Sequence, residues 1–332
     1  MTLRAVVLGL GMIGRHHARI LQSLDGVDFV GGADPTGDRY GALGDPSLLY
    51  ASVEELLEAT RPQIAVVALP TEEHVAASQQ LAAAGIHALI EKPLAATAAQ
   101  AQVIIDLFTT AGLHAVVGHV ERFNPALMEM RQRLDSGQIG TPFLIATQRI
   151  GPFPDRIRDV GVVKDLATHD LDLVGWLGGA AIDRVAAQTT NRTGRPHEDV
   201  VLVTGQLRSG LPFNCIVDWL SPTKIRSVRV LGDRGMLIAD TVRSDLTFYE
   251  NATVSSDWES SAALRGVSEG DVVRYALSRR EPLLAELEAF RDLVLGDGDA
   301  AVVGLQAGLA AVQAAEAVLR SAESASTEIV YA

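Results

Sequence analysis

Apolar residues fall into two rhythms along the 332-residue chain. Over the first 120 residues, short uninterrupted apolar runs alternate with stretches whose apolar positions return every three or four residues. The runs Ala5–Leu8, Phe29–Gly32, Ile64–Leu69, Ala88–Ile90 and Ala115–Val117 predict strands. Such runs offer water no polar face, so the sheet they build must be covered on both sides. With helical stretches between them, that means a parallel sheet. Two helix starts are legible. Ser52-Val53-Glu54-Glu55 and Thr97-Ala98-Ala99-Gln100 fit the capping box, in which the first side chain accepts from the N3 amide. Gly85 and Gly112 stand where a left-handed residue closes a helix.

Beyond residue 120 the rhythm changes. Phe143–Ile150, Arg184–Thr190, Val200–Leu207, Pro212–Trp219, Ser227–Leu231 and Met236–Ala239 predict further strands. Arg208-Ser209-Gly210 and Asp233-Arg234-Gly235 supply tight turns between neighbours, which favours antiparallel hairpins. This half reads as an α+β domain with a large open, mostly antiparallel sheet. Leu283, Leu284, Leu287, Phe290 and Val294 repeat at helical spacing, and a second, Ala-rich helix is expected over Val302–Leu319. The polar stretch Glu250–Gly270 is expected to be a long loop. The domain boundaries predicted are 1–120 and 121–332.

Composition narrows the class. The chain is 48% hydrophobic and 21% charged, as globular proteins are. Its longest apolar runs, such as Ile64–Leu69 and Leu81–Ile86, fall far short of the roughly 20 residues of a membrane helix. Met1–Ala5 leads straight into a strand with no secretory apolar region, and Cys215 is the only cysteine; both predict a cytoplasmic protein. Cys215 lies in the apolar run Phe213–Val217 and reads as a buried strand residue. A net charge of −13 argues against nucleic acid as a partner. Any anionic ligand must therefore be held by locally concentrated positive charge.

The first strand runs into Gly9-Leu10-Gly11-Met12-Ile13-Gly14, which opens a helix. In this pattern the first glycine makes a tight turn and the second lets the backbone approach a pyrophosphate. The third allows close packing of helix on strand. Asp34 lies 20 residues past Gly14 at the end of the second strand, where a carboxylate binds ribose hydroxyls. The context predicts a Rossmann dinucleotide-binding domain. Asp34 would repel a 2′-phosphate, which predicts NAD over NADP unless Arg39 swings in. His16 and His17, just inside the helix, read as packing or solvated residues.

Three further segments accompany this loop: Ala68-Leu69-Pro70-Thr71-Glu72-Glu73-His74, Glu91-Lys92-Pro93, and Val163-Lys164-Asp165-Leu166-Ala167-Thr168-His169-Asp170. In order and approximate spacing the set resembles the glucose-fructose oxidoreductase / inositol dehydrogenase (Gfo/Idh/MocA) family. The resemblance runs through the helix Pro282–Glu288. It implies an NAD-dependent sugar oxidoreductase. Gly9, Gly11, Met12, Ile13, Gly14, Asp34, Leu69, Pro70, Thr71, His74, Glu91 and Lys92 are then the expected cofactor-binding residues, and Lys92–Pro93 is a candidate cis bond. Alcohol oxidation needs a group that takes the hydroxyl proton while negative charge develops on oxygen. The resemblance assigns Lys92, Asp165 and His169 to this chemistry: His169 for proton transfer, Asp165 to orient it, Lys92 to stabilise the alkoxide. Lys92 as the base remains an alternative. Asp165, His169 and Asp172 share ligand types with a metal site, but the family's hydride chemistry needs no metal, and none is expected.

Two segments bear on the substrate. His119–Pro125 crosses between the predicted domains, and Ile150–Val163 contains Gly-Pro-Phe-Pro-Asp-Arg-Ile-Arg-Asp-Val-Gly-Val-Val. Both resemble the UDP-N-acetylglucosamine 3-dehydrogenase members of the family. That implies oxidation of a nucleotide sugar at its 3-hydroxyl, with Arg122, Asn124, Arg149, Arg156 and Arg158 as substrate-binding residues. Arginines pair with phosphate through forked N–H donors. The alternative for Arg149, Arg156 and Arg158 is a structural network with Asp155, Asp159 and Asp165. Other readings are a different nucleotide-sugar 3-ketoreductase, a cyclitol or free-sugar dehydrogenase, an NAD-dependent glycosidase with no net redox, and a silent nucleotide sensor. A homodimer or homotetramer through the open sheet is expected, since Val200–Val203 is apolar on both faces.

Overall fold

The computed structural model describes residues 2–153, 160–252, 268–296 and 301–331. The chain divides into two compact units, Met1–Val120 with Glu281–Gln313, and Glu121–Arg280 with Ala314–Ala332.

In the first unit β1 (Leu3–Leu8), β2 (Val27–Ala33), β3 (Leu49–Tyr50), β4 (Ile64–Val67), β5 (His87–Glu91) and β6 (Ala115–Gly118) form one sheet. The order is β3-β2-β1-β4-β5-β6, and every pair is parallel. Four of the five predicted strands extend by a residue or more. The β4 run ends two residues early, because Pro70 has no N–H to donate and the chain turns away after Ala68. The edge strand β3 is only two residues long, too short to show a period. Helices α1 (Gly14–Leu21), α2 (Val53–Thr60), α3 (His74–Ala83) and α4 (Ala98–Ala111) connect the strands. Ser52 Oγ accepts from Glu55 N and Thr97 Oγ1 from Gln100 N, both at 3.2 Å, as the caps predict. The strand order reverses at β1 and β4, so a crevice is expected beyond their C-terminal ends.

The second unit holds helices α5 (Pro125–Asp135) and α6 (Thr168–Gly178) and a nine-stranded sheet. Its strands are β7 (Pro142–Pro152), β8 (Ile182–Thr190), β9 (Val200–Leu207), β10 (Pro212–Asp218), β11 (Leu220–Gly232), β12 (Gly235–Asp240), β13 (Asp245–Ala252), β14 (Ser268–Tyr275) and β15 (Glu328–Ile329). The order is β14-β13-β12-β11-β7-β10-β9-β8-β15, antiparallel except where β7 meets β10. One face packs on the helices: Val201, Val203, Phe213, Cys215 and Val217 share a core with Leu127, Met130, Leu171 and Val174. On the opposite face Leu202 and Ile216 sit side by side in register, each more than 40% exposed. The loop expected over Glu250–Gly270 is corrected at both ends: β13 runs to Ala252 and β14 starts at Ser268, paired to each other. Residues 253–267 lie outside the described residues.

The C-terminal helices correct the predicted domain boundary. In α7 (Pro282–Leu295), Leu287 and Phe290 are buried in the same core as Leu3, Ala5 and Ile64. Val117 N donates to Val303 O at 2.9 Å, extending the β6 edge. Residues 281–313 thus belong with the first unit, because their apolar stripe completes that core. The helix α8 (Leu305–Ser324) then passes from the first unit to the second. Among the described residues no helix is long and apolar enough to cross a membrane.

Candidate functional site

The glycine loop follows β1. Gly9 has φ +88°, and a Cβ there would lie 2.6 Å from Ala68 O. A Cβ on Gly14 would fall 1.8 Å from Gly9 O, so helix and turn pack backbone on backbone. The protein itself requires both glycines. Gly11 differs: a Cβ there would meet nothing within 4 Å, so the loop leaves open space at the start of α1. No side chain caps this helix. Met12 and Ile13, 36% and 43% exposed, flank the opening with apolar surface. Asp34 Oδ2 accepts from Leu10 N at 3.0 Å, while its Oδ1 accepts from Thr36 N and Oγ1. A carboxylate is thereby fixed beside the loop at the end of β2. These residues fit a dinucleotide: the open helix start at Gly11 would hold its pyrophosphate, and Asp34 would accept from a ribose hydroxyl.

At the ends of β4 and β5 the predicted residues separate into surface and support. Leu69, Pro70 and Thr71 form the turn after β4. His74 is 1% exposed, and its ring nitrogens lie 3.1 Å from Leu94 O and 3.1 Å from Leu69 O. Burial lowers its pKa and keeps it neutral, so it donates to one carbonyl at a time. His74 therefore pins the turn from behind, which corrects its expected place as a cofactor contact. The Lys92–Pro93 bond is cis. Glu91 Oε1 lies 2.7 Å from His17 Nε2, and its Oε2 accepts from Lys92 N at 3.1 Å. Burial alone would push the Glu91 carboxyl up, but the hydrogen bond to His17 and the Lys92 charge leave it below its usual value. Glu91 is thus turned toward α1, bracing the backbone of half-buried Lys92, and His17 is a fully buried packing residue as expected.

The sequence reading missed Glu286. It lies on the inward stripe of α7, 3% exposed, and neither carboxyl oxygen has a hydrogen-bond partner among the described residues. Burial first, and the nearby Glu91 second, raise its pKa well above the usual value. The signal was available: a charged residue sits at the spacing of Leu283, Leu287 and Phe290.

In the second unit a turn of π-helix, Val163–Ala167, precedes α6 and carries Asp165, 7% exposed. Half-buried His169 follows in the first turn of α6. Irregular turns of this kind recur at functional sites. Three arginines fix α6. Arg122 Nε and Nη2 donate to the two oxygens of Asp172 at 2.8 and 2.5 Å. Arg131 Nη1 donates to the carbonyls of Trp176 and Leu177, each at 2.9 Å. Arg149 Nε donates to Asp170 at 2.6 Å and its Nη1 to Glu121 at 2.8 Å.

These bonds correct the predicted substrate set. Arg149 is 2% exposed and locked between two carboxylates, so it is not presented to a ligand. Burial opposes its charge, but Asp170 and Glu121 outweigh that and raise its pKa. Its partners are also not the aspartates the structural alternative named. Asn124 is the N-cap of α5: its Oδ1 accepts from Ala126 N and its Nδ2 donates to Thr241 O, both at 3.0 Å. Arg122 is engaged with Asp172, and Arg156 and Arg158 lie outside the described residues. Cys215 is 1% exposed, and burial pushes its thiol up, so it is no nucleophile. Among the described residues no group of three or more His, Cys, Asp or Glu is disposed to hold a metal ion.

Comparison with known proteins agrees with this geometry. Residues 3–119 match the oxidoreductase family with NAD-binding Rossmann fold, and residues 127–238 match the GFO/IDH/MocA C-terminal domain. The UDP-N-acetylglucosamine 3-dehydrogenase of Acidithiobacillus ferrooxidans is 27% identical over 295 residues, 88% of each chain. Its structure superposes with a TM-score of 0.83, at 25% identity, over 98% of this chain and 99% of that one. Inositol 2-dehydrogenase 1 of Saccharopolyspora erythraea is 32% identical over 202 residues, 59% of this chain and 60% of that one. The scyllo-inositol dehydrogenase of Lactobacillus casei, solved with NAD(H) and scyllo-inositol, shares the fold with a TM-score of 0.80 at 19% identity over 99% of each chain. With the nucleotide loop shaped as described and both family domains matched in turn, the chain belongs to the Gfo/Idh/MocA family of NAD-dependent oxidoreductases.

Proposed function

We propose that this enzyme oxidises a sugar hydroxyl, specifically the 3-hydroxyl of UDP-N-acetylglucosamine, to the ketone. The observation that carries the reading is the likeness to the A. ferrooxidans 3-dehydrogenase across 88% of both chains. NAD+ supplies the hydride acceptor. In this reading His169 takes the hydroxyl proton, Asp165 orients the imidazole, and the Lys92 ammonium stabilises the charge developing on oxygen. The structure supports these roles through placement within each unit. Lys92 stands at the C-terminal end of β5 on a backbone braced by Glu91, and Asp165 and His169 stand on a run held by three arginines. A cyclitol dehydrogenase is the second reading, favoured by the higher identity to inositol 2-dehydrogenase 1 over a shorter stretch.

The deciding assay is absorbance at 340 nm with NAD+ and UDP-N-acetylglucosamine, with free sugars and myo-inositol alongside. NADH is expected with the UDP-sugar, and His169→Ala should abolish turnover while retaining NAD+ binding. NADH only with myo-inositol would replace the substrate assignment. Turnover of a glycoside without net NADH would replace the dehydrogenase reading with the glycosidase one.

A further inference from the structure

With Arg149 buried, the positive charge that an anionic substrate needs must come from elsewhere in this acidic protein. Arg226 of β11 is the register partner of Arg149 of β7, so the two side chains leave the sheet on the same face. On that face Arg149 reaches Asp170 of α6. Arg226 Nη1 donates at 3.2 Å to Glu121 Oε1, the same oxygen that Arg149 holds at 2.8 Å. Its side chain remains 30% exposed. Asp165, on the turn leading into α6, is among the charges that act on Arg226.

Lys224 stands two residues before Arg226, beside Gly151, where β11 pairing is broken between Leu220 and Ile225. It is exposed and has no ion pair within 4.0 Å among the described residues. Glu121 is the carboxylate that acts on it, and Arg149 and Arg226 already bind that group. Arg226 and then burial hold the Lys224 ammonium below its usual value. Burial and then Arg149 do the same to Arg226, despite Glu121, Asp170 and Asp165 nearby. Clustered cations that their surroundings disfavour are stabilised by an added anion.

We propose that Lys224 and Arg226 form an anion subsite, on the same face as the catalytic helix, that binds the phosphoryl or carboxylate group of an anionic sugar substrate. Arg226 offers forked N–H donors and Lys224 a point charge. The proposal rests on the sugar-dehydrogenase reading for its substrate, and its test is arranged so that the two fail separately.

Lys224→Met is the main variant because that side chain is exposed, and Lys224→Arg is the charge-conserving control. With NAD+ saturating, initial rates at 340 nm are compared for UDP-N-acetylglucosamine and neutral N-acetylglucosamine. Lys224→Met should raise KM for the UDP-sugar about tenfold with kcat within about twofold, leave the neutral sugar unchanged, and be rescued by Lys224→Arg. An equal change for both sugars, or none for either, overturns the subsite while leaving the dehydrogenase reading intact. Independently of turnover, UDP, pyrophosphate and glucuronate are added to the NAD+-saturated protein and melting is followed. The wild type should be stabilised and Lys224→Met much less so, and the effective anion separates phosphoryl from carboxylate. Stabilisation that Lys224→Met retains in full, or none in the wild type, overturns the subsite even if no sugar is oxidised.

Discussion

Replacing Arg149 with methionine separates a buried structural arginine from a substrate-binding one. The guanidinium lies 2.6 Å from Asp170 and 2.8 Å from Glu121, and the three side chains are 3%, 1% and 11% exposed. Methionine keeps much of the aliphatic volume and removes both ion pairs. Glu121 retains Arg226 at 3.2 Å, whereas Asp170 loses its cation. Breaking a buried pair from one side costs about 3–5 kcal/mol, a large part of a total stability near 5–15 kcal/mol. For a unit of this size that lowers Tm by on the order of 10 °C. The deficit should also depend on pH. In the wild type burial raises the Glu121 pKa, but Arg149 and the other cations outweigh it and hold it below its usual value. Glu121 therefore contributes stability that is full above the unfolded value of 4.5 and lost as pH falls through the folded one. Burial already raises the Asp170 pKa in the wild type against the pull of Arg149, and removing Arg149 raises it further, so the variant loses more stability as pH rises. The gap between wild type and variant therefore widens from pH 5 to pH 8. Thermal melts across that range, with KM for the UDP-sugar measured well below Tm, test the account. An unchanged Tm with a sharply raised KM for the UDP-sugar would refute it.

Two further perturbations probe the first unit. Glu286 has a folded-state pKa above its unfolded 4.5, so its contribution is full below that value and lost as pH rises through the folded pKa. Glu286→Gln should gain in Tm relative to wild type between pH 5 and pH 8, and parallel pH curves would show that Glu286 does not titrate as described. Gly11→Ala meets open space, so its Tm should stay within a few degrees while NAD+ affinity falls at least about tenfold. Gly14→Ala drives a methyl into Gly9 O and should lose Tm as well as affinity, and the opposite order of the two Tm values would contradict the loop geometry.

The nucleotide-binding half was legible because its signals are local. Apolar runs such as Ile64–Val67 are buried on both faces, and the spacing of Gly9, Gly11 and Gly14 is set by one turn and one helix start. The missed features depend on distant partners. β13 and β14 are recognisable through their pairing to each other, Phe248 opposite Val273, since Ser268–Tyr275 has little apolar alternation of its own. Residues 281–313 carry a helix that reads correctly as amphipathic, but the pattern cannot say which core it completes. Arg149 lies in a strand with Ile145 and Thr147 facing inward, and its partners are 28 and 21 residues away in sequence. No window short enough to show periodicity contains all three.

The candidate catalytic run makes the same point chemically. Asp165, His169, Asp170 and Asp172 are titratable groups of similar kinds within eight residues, and by type alone each qualifies for proton chemistry or metal binding. Their partners distinguish them. Asp170 is bound by Arg149 and Asp172 by both arms of Arg122, so these two carboxylates orient the helix. A buried carboxylate gripped by a guanidinium has its oxygens already engaged as acceptors and is not presented to a substrate hydroxyl. That logic removes Asp170 and Asp172 from the chemistry while explaining why they are there. It also removes Arg149, and commits Arg122, to structural work. Among the described residues of this unit, the cations left to meet an anionic substrate include Lys224 and Arg226, on the same face as α6.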